Sequence, residues 1–248
     1  MDTIIHLAST TSTNDEMQKL LNANTPDLQE GTLIYADEQT KGRGQVGNSW
    51  ESETGKNLTG TIVLFPDFLK ADEQFLITQM GALAVVDFLT KYAHLTNVTV
   101  KWPNDVYWND KKISGTLNEA MLMGKSIAYV MLGVGINLNQ STFRSDAPNP
   151  VSVVQITGQE FDQTKAAVLF RLCVMERYMQ LANGDGSDIR RDYMACLYRK
   201  DGFYAYADER EERFEAEIVT IHPAGEFELR LRSGEHRTYL FKQVHYIL

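Results

Sequence analysis

The stretch Val98-Thr-Val-Lys-Trp-Pro-Asn-Asp-Val-Tyr-Trp-Asn-Asp-Lys-Lys-Ile-Ser114 decides the fold class. Its β-branched and aromatic residues fall in short runs, and Pro103-Asn104-Asp105 and Asn109-Asp110 supply turn residues between them. Val98–Lys101, Val106–Trp108 and Lys112–Ser114 therefore read as consecutive antiparallel strands, continued by Ala128–Val134. Upstream, Ile4–Leu7, Thr32–Ala36 and Leu58–Phe65 read as further strands. Leu76, Met80, Leu83, Ala84 and Phe88 recur at helical spacing and predict a helix over Asp72–Tyr92. Met17, Leu20 and Leu21 predict another, with Thr13 and Glu16 as its capping box. Helices are also expected over Thr164–Leu181 and Asp188–Tyr198. After Gly202 the texture changes to short alternating runs, Phe203–Ala207, Glu215–Ile221, Phe227–Leu231, Thr238–Phe241 and Val244–Leu248, which suggest a small barrel-like β unit. The expected organisation is α+β: residues 1–199 as a main domain around a mostly antiparallel sheet, and residues 200–248 as a small β domain.

The bulk properties narrow the class. Of the 248 residues 43% are hydrophobic, with 11 Phe and 11 Tyr, enough for a packed core. The most apolar stretch, Phe75–Leu89, is interrupted by Thr78, Gln79 and Asp87 and is too short and polar to span a bilayer. The start, Met-Asp-Thr-Ile-Ile-His, lacks the pattern of a secretory signal, so a cytoplasmic home is the default expectation. Cys173 and Cys196 have no partners at metal-ligand spacing and are expected as free thiols; a disulfide between them stays open. The five histidines are scattered, against a protein-built zinc site. A net charge of −9 argues against an extended nucleic-acid footprint. An anionic small molecule would need positive charge gathered in a few places.

Four places could gather it or accept a ligand. In Thr40-Lys-Gly-Arg-Gly-Gln-Val-Gly-Asn-Ser-Trp50, glycines 42, 44 and 47 let backbone N–H groups turn toward an anion, with Lys41 and Arg43 adding charge. It is not a Walker loop, and taken alone it reads equally as a flexible surface segment. The hairpin strands on either side of Pro103 can bring Lys101 and Lys112 near one space, with Asn104 and Asp105 offering metal or ribose contacts. Turn chemistry alone also accounts for that amide and carboxylate. At Gly133-Val-Gly-Ile-Asn137, glycines admit close approach of a ligand or of another backbone, and Asn137 could read an adenine edge. Ser12-Thr13-Asn14 is explained by a helix cap, yet its hydroxyls and amide could also bond a small polar ring.

The order and spacing of these elements resemble the biotin–protein ligase family over roughly residues 9–157. They are Ser-Thr-Asn before a helix, Gly-Arg-Gly-x-x-Gly-x-x-Trp, Lys-Trp-Pro-Asn-Asp with Lys-x-x-Gly, and Gly-x-Gly-Ile-Asn. The resemblance implies a catalytic domain related to class II aminoacyl-tRNA synthetases and a C-terminal SH3-like barrel. It implies ATP and biotin as substrates, Mg²⁺, and a biotin carboxyl carrier protein or domain as partner. By family match Lys112, Arg43 and Lys101 are the catalytic set. Ser12, Thr13, Asn14, Gln39, Gly42, Gly44 and Gly115 join Arg43 and Lys112 around biotin. Gln45, Trp50, Asn104, Asp105 and Asn137 join Arg43 and Lys112 around the adenylate, with Asp105 as the magnesium contact. Family members often carry arginine at the positions of Gln45 and Asn48, which implies an intermediate held by other contacts or released faster here.

Lipoate–protein ligases share the reaction class and a similar Lys-Trp-Pro-Asn-Asp pattern; the Gly-Arg-Gly loop ending in tryptophan favours biotin. A non-catalytic biotin or nucleotide binder is the rival from another class, and the retained cation set argues against it. The signature begins at Ser9, so no helix-turn-helix and no DNA binding are expected. Edge strands leave a homodimer open. Glycine content predicts that Lys41–Asn48 is mobile when empty and ordered with the adenylate.

Overall fold

The computed structural model describes residues 3–23, 25, 28–45, 49–145, 149–184 and 186–247. The first strand, β1 (Ile4–Thr10), leads into helix α1 (Thr13–Asn22), followed by β2 (Leu33–Gln39) and β3 (Leu58–Leu64). A 3₁₀ turn at Ala71–Glu73 precedes α2 (Phe75–Lys91). Then come β4 (Val98–Lys101), β5 (Asp105–Trp108), β6 (Lys111–Met123) and β7 (Ser126–Ile136). Three helices, α3 (Val153–Thr157), α4 (Gln163–Ala182) and α5 (Ser187–Ala195), lead to β8 (Tyr204–Asp208), β9 (Arg213–Ile221), β10 (Phe227–Leu231), β11 (His236–Tyr239) and β12 (Val244–Tyr246).

The first seven strands form one sheet in the order β1-β2-β3-β7-β6-β5-β4, parallel only between β1 and β2. The last five form a separate antiparallel sheet, β11-β10-β9-β8-β12. This is the mixed, mostly antiparallel α+β arrangement expected from the sequence. No helix among the described residues is long and apolar enough to cross a membrane.

The two-residue period of a strand divides the large sheet into two faces. On one face Leu33, Tyr35, Leu58, Ile62, Leu64, Val130, Leu132 and Val134 join α2 and α4 in the main core. On the other, Ile34, Val63 and Met131 pack under Met17 of α1 in a second cluster. Each fully buried aliphatic side chain contributes about 1.5–3 kcal/mol, so the main core dominates stability. The second cluster only seats α1.

Several local expectations are corrected. The strand expected to end at Ser114 runs thirteen residues, to Met123, because β7 supplies a continuous antiparallel partner. The third late helix stops at Ala195 rather than Tyr198. Cys196–Tyr198 instead lies along β4, where Val100 N–H donates to the Cys196 carbonyl at 2.8 Å and Tyr198 N–H to the Val100 carbonyl at 2.8 Å. That pairing covers a sheet edge, which is left sticky when bare. The capping box expected at Thr13 and Glu16 does not form: the N-cap is Ser12, and Glu16 accepts a hydrogen bond from the Thr10 hydroxyl at 2.9 Å. A capping box does form at Ser152 and Gln155, opening α3. Both cysteines are free, and burial pushes the Cys173 thiol up to about 12.

The small sheet shares the main core. Phe227 on β10 stacks on Trp102 with ring centroids 4.8 Å apart, and the Trp102 indole N–H donates to the Gly225 carbonyl at 3.0 Å. Tyr206 and Tyr246 extend the same aromatic cluster. Two sheets joined through a continuous core are expected to unfold together. Fluorescence and far-ultraviolet circular dichroism should give one coincident denaturant transition. Phe227→Ala should lower stability by about 3–5 kcal/mol, the usual cost of deleting a buried phenylalanine. Two separated transitions in the wild type would show the small sheet to be an independent unit.

Candidate functional site

A cavity of about 440 Å³ opens on the α1 side of the large sheet, a size that suits a small-molecule ligand. Its floor follows from strand parity. Along β7 the residues facing α1 are Tyr129, Met131, Gly133 and Gly135, so side chains end where the cavity begins. A Cβ at Gly133 would lie 2.9 Å from Asn14 Oδ1, and one at Gly135 would lie 2.2 Å from the Trp50 indole. Gly115 on β6, paired with Gly135, continues the floor. The glycines of the Gly-x-Gly-Ile-Asn segment thus admit neighbouring side chains to the sheet surface.

The cations arrive by register. Lys101 pairs across the β4–β5 turn with Asp105, and Asp105 pairs with Gly115, which places all three on the cavity face. Lys112 joins them through a β-bulge: Val106 pairs with Ser114 but Tyr107 with Lys112, leaving Ile113 as the extra residue. Such a bulge re-aims the side chains beyond it. Ile113 stays fully buried in the core while Lys112 faces the cavity. The Lys112 backbone is satisfied from outside the sheet, its N–H donating to the Asn149 carbonyl and its carbonyl accepting from Val151 N–H, both at 2.9 Å.

Lys112 Nζ stands 2.7 Å from Asp105 Oδ1, with each side chain less than a third exposed. Lys101 Nζ donates to the Tyr107 hydroxyl at 3.0 Å and lies 5.0 and 5.3 Å from the ring centroids of Tyr107 and Tyr246. Burial pushes the Lys101 ammonium below the usual lysine range; Asp105 opposes that, while Lys112 and Arg199 add to it. Arg43 is held by Asp15 at 3.1 Å and Glu119 at 2.5 Å. Among the described lining residues Asp105 is the single carboxylate, against Arg43, Lys101, Lys112 and Lys242. Four cations thus share one cavity of a chain whose net charge is −9.

The opposite end is neutral and hydrogen-bonding. Gln39 Oε1 accepts from Thr13 N–H at 2.8 Å, and the Thr13 hydroxyl lies 2.8 Å from that of Thr61. The Thr61 hydroxyl donates to Asn14 Oδ1, and Asn14 Nδ2 donates to Glu119 at 2.6 Å. Ser12, Thr13 and Asn14 are each buried. Between the two ends lies Trp50, whose indole covers Gly135 and Gly115 and lies 5.7 Å from Lys112 Nζ. Its buried Nε1 has no hydrogen-bond partner among the described residues.

Most of the expected site residues therefore meet in one cavity: Ser12, Thr13, Asn14, Gln39, Arg43, Gly44, Gln45, Trp50, Lys101, Asn104, Asp105, Lys112 and Gly115. Two do not. Asn137 sits outside, buried, with its amide nitrogen donating to the Val151 carbonyl at 3.1 Å, so it ties the 149–153 segment to the end of β7. Gly42 closes the base of the loop, its carbonyl accepting from Trp50 N–H at 3.1 Å, and a Cβ there would strike the Trp50 carbonyl oxygen. Asn104 lines the wall, but its amide nitrogen is committed to the Thr116 carbonyl. Gly47 and Asn48, with part of the loop expected to be mobile, lie outside the described residues.

Sequence reasoning missed Thr61, Tyr107, Glu119 and the wall that β12 supplies through Val244, His245 and Tyr246. Glu119 alone left a trace, a carboxylate at even spacing from Gly115 along one strand. For a magnesium ion the fit is partial: among the described residues no three His, Cys, Asp or Glu side chains cluster as ligands. Asp105 is the available carboxylate, and magnesium commonly binds through one or two carboxylates plus substrate phosphates.

Comparison with known proteins gives the family and the fold. The model of the biotin/lipoate A/B protein ligase family matches residues 7–137. The bifunctional ligase/repressor BirA of Bacillus subtilis is 34% identical over 173 residues, 67% of this chain and 51% of that protein. The match thus spans about half the length of that relative. A biotin–[acetyl-CoA-carboxylase] ligase of Paracoccus denitrificans is 33% identical over 200 residues, covering 78% of this chain and 80% of its own length. In fold, the chain superposes on a biotin protein ligase from Aquifex aeolicus in complex with biotin and ATP with a TM-score of 0.81, 21% identity and full coverage of both chains.

Two outcomes follow from the geometry. Gly135→Ala should drive the Trp50 indole out of its buried seat and red-shift the emission, and the shift should vanish when Trp50→Phe is added. An unshifted spectrum would place the indole elsewhere. Lys101→Met should melt no lower than the wild type, because folding no longer strips water from a charge. The folded Lys101 binds protons less readily than the unfolded one, so the wild-type penalty is complete at neutral pH. It fades as pH rises toward the ordinary lysine value of 10.5. A stability gap that stays constant over that range would contradict this.

Proposed function

The chain belongs to the biotin/lipoate A/B protein ligase family, and from that premise we propose that it is a biotin–protein ligase. It activates biotin with ATP and transfers the biotinyl group to a lysine of a biotin carboxyl carrier protein or domain. The observation that carries this reading is the division of one cavity into a neutral hydrogen-bonding end and a cationic end. The ureido ring of biotin offers one carbonyl and two N–H groups and no charge, which suits Thr13, Asn14 and Gln39. Its valerate carboxylate and the α-phosphate of ATP are both anionic and would meet among Arg43, Lys101 and Lys112.

In the first half-reaction a biotin carboxylate oxygen attacks the α-phosphorus, a new P–O bond forms, and the bond to pyrophosphate breaks. Two anions must approach, so preorganised cations lower the barrier by stabilising charge as it develops. Lys112, aimed by the bulge and steadied by Asp105, stands where carboxylate and phosphate would meet. Arg43 neutralises from the loop side and Lys101 from the floor. In the second half-reaction the uncharged ε-amine of the carrier lysine attacks the acyl carbon, the acyl C–O bond breaks, and AMP leaves with the electron pair. Between the two half-reactions Trp50 covers the mixed anhydride and keeps water from it. Asp105 would hold a magnesium ion together with the ATP phosphates, and the ion would neutralise phosphate charge there. The net charge of −9 argues against DNA as a partner.

The family's own description includes lipoate ligases, so the decisive experiment compares the two acids. Pyrophosphate release with ATP and Mg²⁺ is expected with biotin and not with lipoate. Lys112→Ala should reduce it by about 10²–10³-fold, the usual cost of losing one preorganised charge donor. Release with lipoate alone would move the chain to the sister activity. No release with either acid from folded protein would point to a binding or regulatory role.

A further inference from the structure

We propose that Glu119 is a positioning residue that sets the hydrogen-bond polarity of the biotin-ring end and ties it to the loop arginine; this rests on the ligase reading above. Glu119 lies on β6 in the same parity as Gly115 and Leu117, so it emerges on the α1 face of the sheet, in a smaller pocket that shares Asn14 and Arg43 with the main cavity. Its two carboxylate oxygens are divided. Oε1 accepts from Arg43 Nη2 at 2.5 Å, and Oε2 accepts from Asn14 Nδ2 at 2.6 Å. Asp15 of α1 also holds Arg43, but among the described residues it is not bonded to Thr13, Asn14, Gln39 or Thr61; Glu119 joins the loop arginine to that hydrogen-bonded set through Asn14.

The consequence runs through donors and acceptors. An ionised carboxylate only accepts, so Asn14 must turn its amide nitrogen toward Glu119 and its oxygen toward Thr61. The Thr61 hydroxyl spends its single proton on Asn14 Oδ1. The Thr13 proton is then directed between the Thr61 oxygen at 2.8 Å and Gln39 Oε1 at 3.2 Å, leaving the Thr13 oxygen an acceptor. Gln39 Oε1 is occupied by Thr13 N–H, which leaves the Gln39 amide nitrogen as the donor. One acceptor oxygen and one amide donor are thereby presented to a ring that needs both. On the other side, Arg43 gives one N–H to Glu119 and one to the more exposed Asp15, and keeps the remainder of its five for an anion. An ordinary surface ion pair would contribute little. This one is divided between two parts of a site.

The two arms separate by mutation. Glu119→Gln can still accept from Asn14 through its amide oxygen, but it sets an N–H₂ group against Arg43. It should leave the biotin Kd by calorimetry within about threefold of wild type, while the kcat of pyrophosphate release falls about tenfold or more. Glu119→Ala frees Asn14 as well, and should also raise the biotin Kd about tenfold, the scale of one hydrogen bond to a charged group. Adding Glu119→Gln to Arg43→Ala should cost nothing further in kcat, because the two act through one contact. Equal effects of the Gln and Ala variants on Kd and kcat, no effect of either, or full additivity with Arg43→Ala would overturn the proposal while a working wild type leaves the ligase reading intact. A wild type that neither binds biotin nor releases pyrophosphate would overturn both.

Discussion

A β-strand shows alternate residues to opposite faces, and the large sheet must meet two demands under that single rule. One face has to be apolar throughout to bury α2 and α4. The other has to be packed under α1 and then hollow. On β7 the first demand is met by the aliphatic series Val130, Leu132, Val134 and Ile136, and on β3 by Leu58, Ile62 and Leu64 around Gly60. The second is met by a change of size along the opposite parity, from Tyr129 and Met131 to Gly133 and Gly135. The cavity exists because hydrogen atoms replace side chains at those positions. A methyl group at Gly135 would occupy the place of the Trp50 indole.

Parity alone would defeat the chemistry at Lys112. Counted back from Gly115 without interruption, position 112 falls on the core side, where an ammonium would face the aliphatic layer under α2. An unpaired buried charge there would be prohibitive. The bulge at Ile113 inserts one residue, keeps an isoleucine in the core, and turns the lysine to the cavity beside Asp105. The 149–151 segment takes up the backbone groups that the bulge frees, so the irregularity leaves no Lys112 amide or carbonyl unsatisfied.

The small sheet is part of the same construction. Trp102, next to Lys101, is clamped by Phe227 and by the Gly225 carbonyl, and Tyr246 places its ring near the Lys101 ammonium. Lys101 is held partly out of water by these aromatic walls, which explains why its ammonium is pushed below the usual range. A cation destabilised in the empty protein has the more to gain from an anionic ligand. The seam between the sheets therefore contributes to the site as well as to stability.

Much of this was legible in the sequence. The turn residues around Pro103 and Asn109 forced short antiparallel strands, and the pairing of Lys101 with Asp105 follows from the tightness of one turn. Helical spacing found α1, α2 and α4 to within a few residues. The glycine-rich loop and the Ser-Thr-Asn segment stood out as candidate ligand contacts from their residue types and spacing, and both line the cavity. Other features could not be read. Asn137 was expected at an adenine edge, and in the fold its amide nitrogen donates to the Val151 carbonyl; which segment crosses a strand end is not written in the local sequence. Glu119 fell beyond the strand expected to end at Ser114, and its partners Asn14 and Arg43 lie 105 and 76 positions away. Nothing in the local pattern announces a one-residue bulge either. Periodicity, turns and the inventory of charges can be read from the chain, since they rest on residue types and on interactions between near neighbours. Only the tertiary structure decided which charges share a cavity, because that depends on register and packing between strands far apart in the chain.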